Sequence, residues 1–446
     1  MSKRDKFTSK IGIIAAVAGS AIGLGNIWRF PYITGKYGGA SFLIVYLICI
    51  MLVGLPVMLS EFIIGRHTGK NTVGAFKELA PGRPWFLSGW LGLFASVITL
   101  GFYSVVAGWG VKYIIMSLFN NFSGKDISNL GIAFDDFVTS GLDPVFWQLL
   151  FILFTGAIVV LGVKNGIEKF SKILMPIFFI LLCILVVNAF TLEGAKEGLA
   201  FLFKPDFNQL TMEAIFVALG HSFFTLSLGM GTMITYGSYI SKEEDLTKTA
   251  LQVIVADTGV AILAGVAIFP AVFTFGIDPG EGAGLAFVTL PAIFTNIPFG
   301  YILSILFFFL LTIAALTSAI SMLEVPVAFL EEETKLSRNQ GTLLICLAAG
   351  IFGLLCSLSN GAVNITVMGQ SLMSFAEYLS SNILLPFVGL LTAIFVGWAL
   401  QKRVIASELK LKQESTAYNV FMGILKFITP IAIIFVFLYS IGVISF

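Results

Sequence analysis

Two stretches decide the fold: Gly19-Ser20-Ala21-Ile22-Gly23-Leu24-Gly25-Asn26 and Phe224-Thr225-Leu226-Ser227-Leu228-Gly229-Met230-Gly231. Each lies near the middle of a predominantly apolar run, 11–35 and 213–239, and a helix needs about 20 apolar residues to cross the hydrocarbon core. Glycine inside a helix costs up to about 1 kcal/mol relative to alanine, so clustered glycines loosen the backbone. Opened backbone at that depth finds no partner in lipid and must line a cavity. Taken singly, either stretch reads equally well as close helix packing through small residues.

Their positions in the chain separate the two readings. Apolar runs fall near 11–35, 40–65, 86–119, 145–163, 170–190, 213–239, 249–276, 298–330, 341–359, 371–400 and 419–444. The interrupted runs are the first and sixth, equivalent places in two five-span halves, 11–190 and 213–400, with 419–444 left over as an additional helix. Five spans per half is odd, so the halves have opposite topology. Paired interrupted segments in inverted halves point to a binding site at the midplane. The expected fold is therefore an all-α integral membrane protein, a single domain over 1–446, with about 11 transmembrane helices, a 5+5 inverted repeat, and helices 1 and 6 unwound at mid-membrane.

Composition agrees. Of the 446 residues, 57% are hydrophobic and 11% charged, against roughly 25% charged in soluble chains. The net charge of +1 offers nothing to a nucleic acid. Cys49, Cys183, Cys346 and Cys356 lie in or beside apolar runs and read as small packing residues. The basic start MSKRDKFTSK leads into the first run without a cleavage site, which predicts an uncleaved span. Residues 277–297 are broken by Gly and Pro and read as a folded outer loop. Segments 1–10, 66–85, 163–172, 240–248, 331–340 and 401–418 hold most of the 26 Lys and Arg residues, whereas the alternate segments hold Lys36, Lys125, Lys196 and Lys204. That asymmetry places the N-terminus in the cytoplasm and, with eleven spans, the C-terminus outside.

The run GSAIGLGNIWRFPYITGKYGGASFLIVY (19–46), with FFTLSLGMGTMITYGSY (223–239), FVTLPAIF (287–294) and LTSAISMLEVPVAFLEEETKLSR (316–338), resembles the signature of the neurotransmitter:sodium symporter family, in particular its bacterial amino-acid transporters, collinearly over nearly the whole chain. The resemblance implies sodium-coupled uptake of an amino acid by alternating access. It implies two Na+ sites. The first comprises the carbonyl of Ala21 with Asn26, Thr225 and Asp257, completed by the substrate carboxylate. The second comprises the carbonyls of Gly19, Ile22 and Ala314 with the hydroxyls of Thr317 and Ser318. Half-helix N-termini near Leu24 and Gly25 offer free N–H groups to a carboxylate, and freed carbonyls such as that of Ala21 face cations. In isolation Thr317 and Ser318 read as hydroxyls bonded back to their own helix.

Relatives that carry amines place an acid where this chain has Gly23, so the substrate is expected to bring its own carboxylate, held by Tyr103. Thr99, Val106, Phe224, Ser227, Met230, Ser318 and Met322 match the side-chain pocket, which holds no charge. Burying an unpaired charge is costly, so neutral hydrophobic or aromatic L-amino acids are expected, although in so apolar a chain the same residues read as plain packing. Chloride-dependent relatives have Asn near Asp257 and Ser where this chain has Ala261. The Asp257 carboxylate is expected to replace the anion, giving chloride-independent transport, with proton countertransport through Asp257, with or without His221, as the sharper expectation. His221 otherwise reads as the cap of a polar network near Tyr46 and Thr225. Arg29 and Glu377 match an outer gate over Tyr103 and Phe224, with Phe287 as a cover. Arg4 and Glu332 match an inner gate near Ser238 and Tyr239, and Phe7 stands where relatives have Trp, which predicts looser packing there.

Other readings remain open at this level. An intramembrane enzyme needs a nucleophile or metal constellation, and the chain's two histidines, His67 and His221, have no ligand spacing. A receptor or channel of the same fold, or coupling to protons alone, is not excluded by broken helices. Oligomeric state leaves no signature in the sequence.

Overall fold

The computed structural model of the chain describes residues 6–277, 284–440 and 442–443. Among the described residues nine helices are long and apolar enough to span a bilayer: Ala40–Thr68, Phe86–Leu118, Leu142–Val160, Val163–Ala189, Leu246–Thr274, Gly300–Glu333, Arg338–Leu358, Leu372–Ala399 and Thr416–Tyr439. The pair Lys10–Ala21 and Gly25–Lys36, bent by 49°, makes a tenth. The sixth expected span is split into Met212–Thr225 and Thr232–Gly237, neither long enough to cross alone. Counting it as one broken span gives the eleven expected, with the first and sixth the interrupted ones.

Boundaries move by a few residues, and one expected loop largely disappears. Segment 163–172 is not a connection, because the fifth span starts at Val163. The turn is compressed into Leu161 and Gly162, the latter at φ 85°, a backbone setting that favours glycine. The last helix starts at Thr416, before the expected 419, and the expected end at 444 lies outside the described residues. Helices the apolar pattern did not predict lie between spans: Thr72–Leu79, Ile127–Thr139, Ala195–Phe203 and Lys402–Leu409. The outer loop expected at 277–297 contains the helix Leu285–Phe294.

Lipid supplies no hydrophobic drive between helices, so close approach and polar contacts hold them together. The third span packs along the eighth, ninth and fourth. At the fourth-span crossing Gly108 is required, since a Cβ there would stand 2.6 Å from the Gln148 backbone N. The buried Gln148 side chain donates to Ser104 Oγ at 3.2 Å and to the Gly350 carbonyl at 3.3 Å, tying spans three, four and nine. Against this block the first span packs with the fifth, seventh and eighth. The inner half of the sixth lies on the second, where a Cβ at Gly65 would stand 1.9 Å from the Ile234 carbonyl oxygen.

Gly108→Val tests this contact. Overpacking of a filled interior costs about 1–3 kcal/mol, so the variant should lose thermal stability in detergent, measured by size-exclusion after heating. Gly259→Ala, at a helical position with open space around it, should change far less.

Candidate ion and substrate site

The first span stops being helical after Ala21 and resumes at Gly25. The sixth is non-helical over 226–231. Ser227, Gly229 and Gly231 lie there at φ 52°, 76° and 76°. Glycine is needed twice for space as well as for backbone: a Cβ at Gly229 would stand 2.2 Å from the Leu385 carbonyl oxygen, and one at Gly231 would stand 2.6 Å from Thr72 Oγ1.

The two breaks are tied to each other. The Ser20 carbonyl accepts from Ser227 Oγ at 2.9 Å and from Ser318 Oγ at 3.0 Å. Ser318 Oγ also lies 3.5 Å from the Gly19 carbonyl oxygen and 3.4 Å from that of Ile22. Thr317 Oγ1 stands 3.1 Å from the carbonyl oxygens of both Ile313 and Ala314. The structure thus gathers Gly19, Ile22 and Ser318 directly. Thr317 abuts Gly19, where a Cβ would stand 3.4 Å from its own Cβ, and its hydroxyl makes the back-bonds to Ile313 and Ala314 that its helix position allows. Ser20, absent from the expected set, is the carbonyl most used.

The second cluster centres on Asp257, fully buried on the seventh span. Its Oδ1 accepts from Asn26 Nδ2 at 2.8 Å and from Thr225 Oγ1 at 2.9 Å, and its Oδ2 from the Tyr46 hydroxyl at 3.4 Å. Asn26 Oδ1 accepts the Gly23 N–H at 2.9 Å. Ala21, Asn26, Thr225 and Asp257 are all buried, and spans one, six and seven each contribute. Both clusters present oxygen. Among the described residues no group of three His, Cys, Asp or Glu could hold a metal ion, so neither cluster resembles a transition-metal site, and both suit a hard cation.

Beside these clusters the Leu24 N–H donates to the Tyr103 hydroxyl at 3.1 Å. Gly23 is crowded, not roomy: a Cβ there would meet Ser318 Oγ at 2.4 Å and the Tyr103 hydroxyl at 2.9 Å. An acid at this position would have no place in this arrangement. Val106, Phe224, Ser227, Met230 and Met322 are buried, as is Gly25, against whose α-carbon face the Phe224 ring lies. Thr99 is also buried, but its hydroxyl turns away to Ser380 Oγ at 2.5 Å and the Ala95 carbonyl at 2.7 Å, joining spans three and ten.

The expected gates are only partly assembled. Arg29 lies over the Phe224 ring at 5.0 Å, its Nε and Nη1 without hydrogen-bond partners. Among the described residues no ion pair joins it to Glu377. On the inner side Arg4 lies outside the described residues. Glu332 accepts from the Asn71 backbone N at 2.8 Å and Nδ2 at 2.9 Å, where Asn71 caps the helix Thr72–Leu79. Phe7 is not loosely packed: it is buried edge-on to Tyr236 and Tyr239 at 5.7 and 5.8 Å. Phe287 stacks on Phe134 at 5.7 Å and meets Trp109 and Tyr113 edge-on. It therefore anchors the outer loop to the helix Ile127–Thr139 and to span three. His221 does not cap a polar network: it stacks between Phe30 and Tyr46, and neither ring nitrogen meets a protein partner.

Sequence reasoning missed three buried charged groups. Glu61, fully buried on the second span, accepts the Gly229 N–H at 2.8 Å and faces the N–H groups of Met233 and Ile234. It caps the inner half of the broken sixth span. Glu324 accepts the Tyr239 hydroxyl at 2.6 Å and pairs with Arg338, which also donates to the Val159 carbonyl at 2.9 Å. Glu168 accepts from Thr8 N and Oγ1, both at 2.8 Å, and so holds the start of span one to span five. Ionisable residues inside apolar runs are functional candidates by default, and that signal was present in the sequence at Glu61.

The chain is similar to known proteins in sequence and in fold. The profile of the sodium:neurotransmitter symporter family matches residues 4–140 and 136–445. The chain is 39% identical over 452 residues to YhdH of Bacillus subtilis, described as an uncharacterized sodium-dependent transporter, covering 100% of this chain and 99% of that protein. It is 35% identical to an uncharacterized sodium-dependent transporter of Haemophilus influenzae, covering 98% of each. Among solved structures, the crystal structure of MhsT in complex with L-phenylalanine superposes with a TM-score of 0.92 at 44% identity, covering 98% of this chain and 100% of that one.

The Glu61 contact generates its own test. Glu61→Ala strands backbone donors at the sixth-span break, at about 1–3 kcal/mol per unsatisfied group. Thermal stability in sodium should drop markedly for Ala and less for Gln, which keeps an acceptor. Equal stability of all three proteins would remove the capping role.

Proposed function

The chain belongs to the sodium:neurotransmitter symporter family, and from that premise we propose that it carries neutral hydrophobic or aromatic L-amino acids into the cell. The family transports with sodium and is not enzymatic. In this reading two sodium ions are co-substrates. One sits among the Ala21 carbonyl, Asn26, Thr225 and Asp257. The other sits among the carbonyls of Gly19, Ile22 and Ala314 and the hydroxyls of Thr317 and Ser318. The N-terminus is cytoplasmic and the C-terminus outside, as the Lys and Arg distribution requires.

The observation that carries the substrate class is the meeting of the Leu24 N–H and the Tyr103 hydroxyl at the first-span break. A backbone N–H at a half-helix N-terminus and a phenol hydroxyl are donors suited to a carboxylate. The wall beyond them, Val106, Phe224, Ser227, Met230 and Met322, is buried and uncharged, so a charged side chain would be stranded there. Two methionines make that wall deformable. The solved relative MhsT holds L-phenylalanine, which fits the same class.

Asp257 accepts three hydrogen bonds from uncharged donors, and among the described residues no Lys or Arg pairs with it. A carboxylate at this depth needs a cation. We propose that sodium is that cation during inward transport and a proton replaces it on the return, which removes the need for chloride. Alternation then follows from which end of the paired breaks is sealed. Phe224 under Arg29 closes one side, and Phe7 between Tyr236 and Tyr239 closes the other.

A scintillation-proximity screen of the common amino acids, with and without sodium, tests the substrate class. Binding confined to hydrophobic and aromatic amino acids, and lost without sodium, is expected; sodium-independent binding or a preference for a charged amino acid would reject it. Tyr103→Phe should weaken binding by about 1.5–3 kcal/mol. Replacing chloride by gluconate should leave uptake into proteoliposomes unchanged, and Asp257→Asn should make uptake chloride-responsive and less dependent on internal pH. A large loss in gluconate for the unmodified protein would refute the proposed role of Asp257.

A further inference from the structure

Lys426 lies within the last span, Thr416–Tyr439, and enters no ion pair among the described residues. A lysine in a membrane span needs a counter-charge or an interfacial exit. Its surroundings form a defined cleft. The end of the tenth span widens to π geometry over Phe395–Ala399, and the last span does so over Ile424–Ile428. Such π turns inside α-helices occur mostly at functional sites. The two wide turns face each other. A Cβ at Gly397 would stand 3.2 Å from Lys426 Cγ and 3.7 Å from its Cα, so only glycine lets the lysine stem lie flat there.

The ammonium group then sits 4.9 Å from the centre of the Trp398 ring. Phe427 meets the same ring edge-on at 5.8 Å. Trp398 and Phe427 are 60% and 56% exposed, large for aromatic rings set beside a buried helix contact. Trp398 is the penultimate residue of its span, so the group lies at the level where tryptophan marks the membrane interface. Immediately beyond it Lys402 and Arg403 are exposed. Glu408, an acidic residue of the adjoining helix, is turned away and held by Arg66 at 2.7 Å.

We infer that this cleft binds the phosphate headgroup of an anionic phospholipid from the leaflet on the 401–418 side. Lys426 supplies the counter-charge, with its stem along Gly397 and its head snorkelled to the interface. Trp398 and Phe427 flank the glycerol and upper acyl region, and Lys402 and Arg403 hold the diffuse negative potential of the surface. Basic pockets between helices at this level are suited to lipid phosphates. The occupant is a lipid and not a free phosphate, because two exposed aromatic rings form its wall and a soluble anion would leave them in water.

The full-length protein, reconstituted in mixed phosphatidylglycerol and phosphatidylcholine, would be extracted in mild detergent and its retained lipids counted by native mass spectrometry. The unmodified protein should retain phosphatidylglycerol in preference to phosphatidylcholine. Lys426→Gln should lower that retention about fivefold, the weight of one lysine near an anionic surface, and Trp398→Leu should lower it independently. Lys36→Gln, which removes the lysine stacked 5.0 Å over Tyr37 near the opposite membrane face, should leave it unchanged. Equal retention of the two lipids, no effect of either cleft variant, or displacement of the lipid by inorganic phosphate would each overturn the assignment.

Discussion

A backbone N–H or C=O in the bilayer interior must find a partner inside the protein, and at two places this chain opens its backbone where none is available from its own helix. The breaks at 22–24 and 226–231 are therefore held by a small set of side chains, most of them brought in from other spans. The Ser20 carbonyl takes hydroxyls from Ser227 and Ser318, and the Gly23 N–H takes the Asn26 amide oxygen. The Gly229 N–H takes the Glu61 carboxylate. Spans two, seven and eight are positioned by this demand as much as by packing. It also creates the site, because groups exposed to satisfy one another are groups that a cation or a zwitterion can share.

The glycines act on two scales. Within the breaks, Gly229 and Gly231 permit a left-handed backbone against the Leu385 carbonyl and Thr72. Elsewhere Gly65 and Gly108 bring whole helices into contact, where lipid would otherwise compete equally for every side chain. The same residue type thus builds a stiff block around span three and a loosened pair of helices beside it. Under the proposed function, that contrast would let one part move against the other.

Buried charge marks where the moving and fixed parts are fastened. Glu168 fastens the start of span one to span five. Glu324 and Arg338, with Tyr239, fasten the end of span six to spans eight and nine. Breaking a buried pair by losing one partner costs several kcal/mol, so these contacts tie span one firmly to span five and span six to spans eight and nine. Phe7 in its tyrosine pocket adds an apolar seal at the same level.

Membrane spans, their number and the two interruptions were legible in the sequence because hydropathy over about 20 residues and glycine clustering are local properties. So were Asn26, Thr225, Asp257 and Ser318, which lie in stretches long enough to carry a family signature. The partners of charged residues were not legible. Glu332 sits on Asn71 at the cap of an unanticipated helix, Thr99 turns to Ser380, Arg29 lies over Phe224 without Glu377, and His221 stacks between aromatic rings. A one-dimensional pattern states that a polar group is buried. Which group answers it depends on the rotation and crossing of helices far apart in the chain, and only packing in three dimensions decides that.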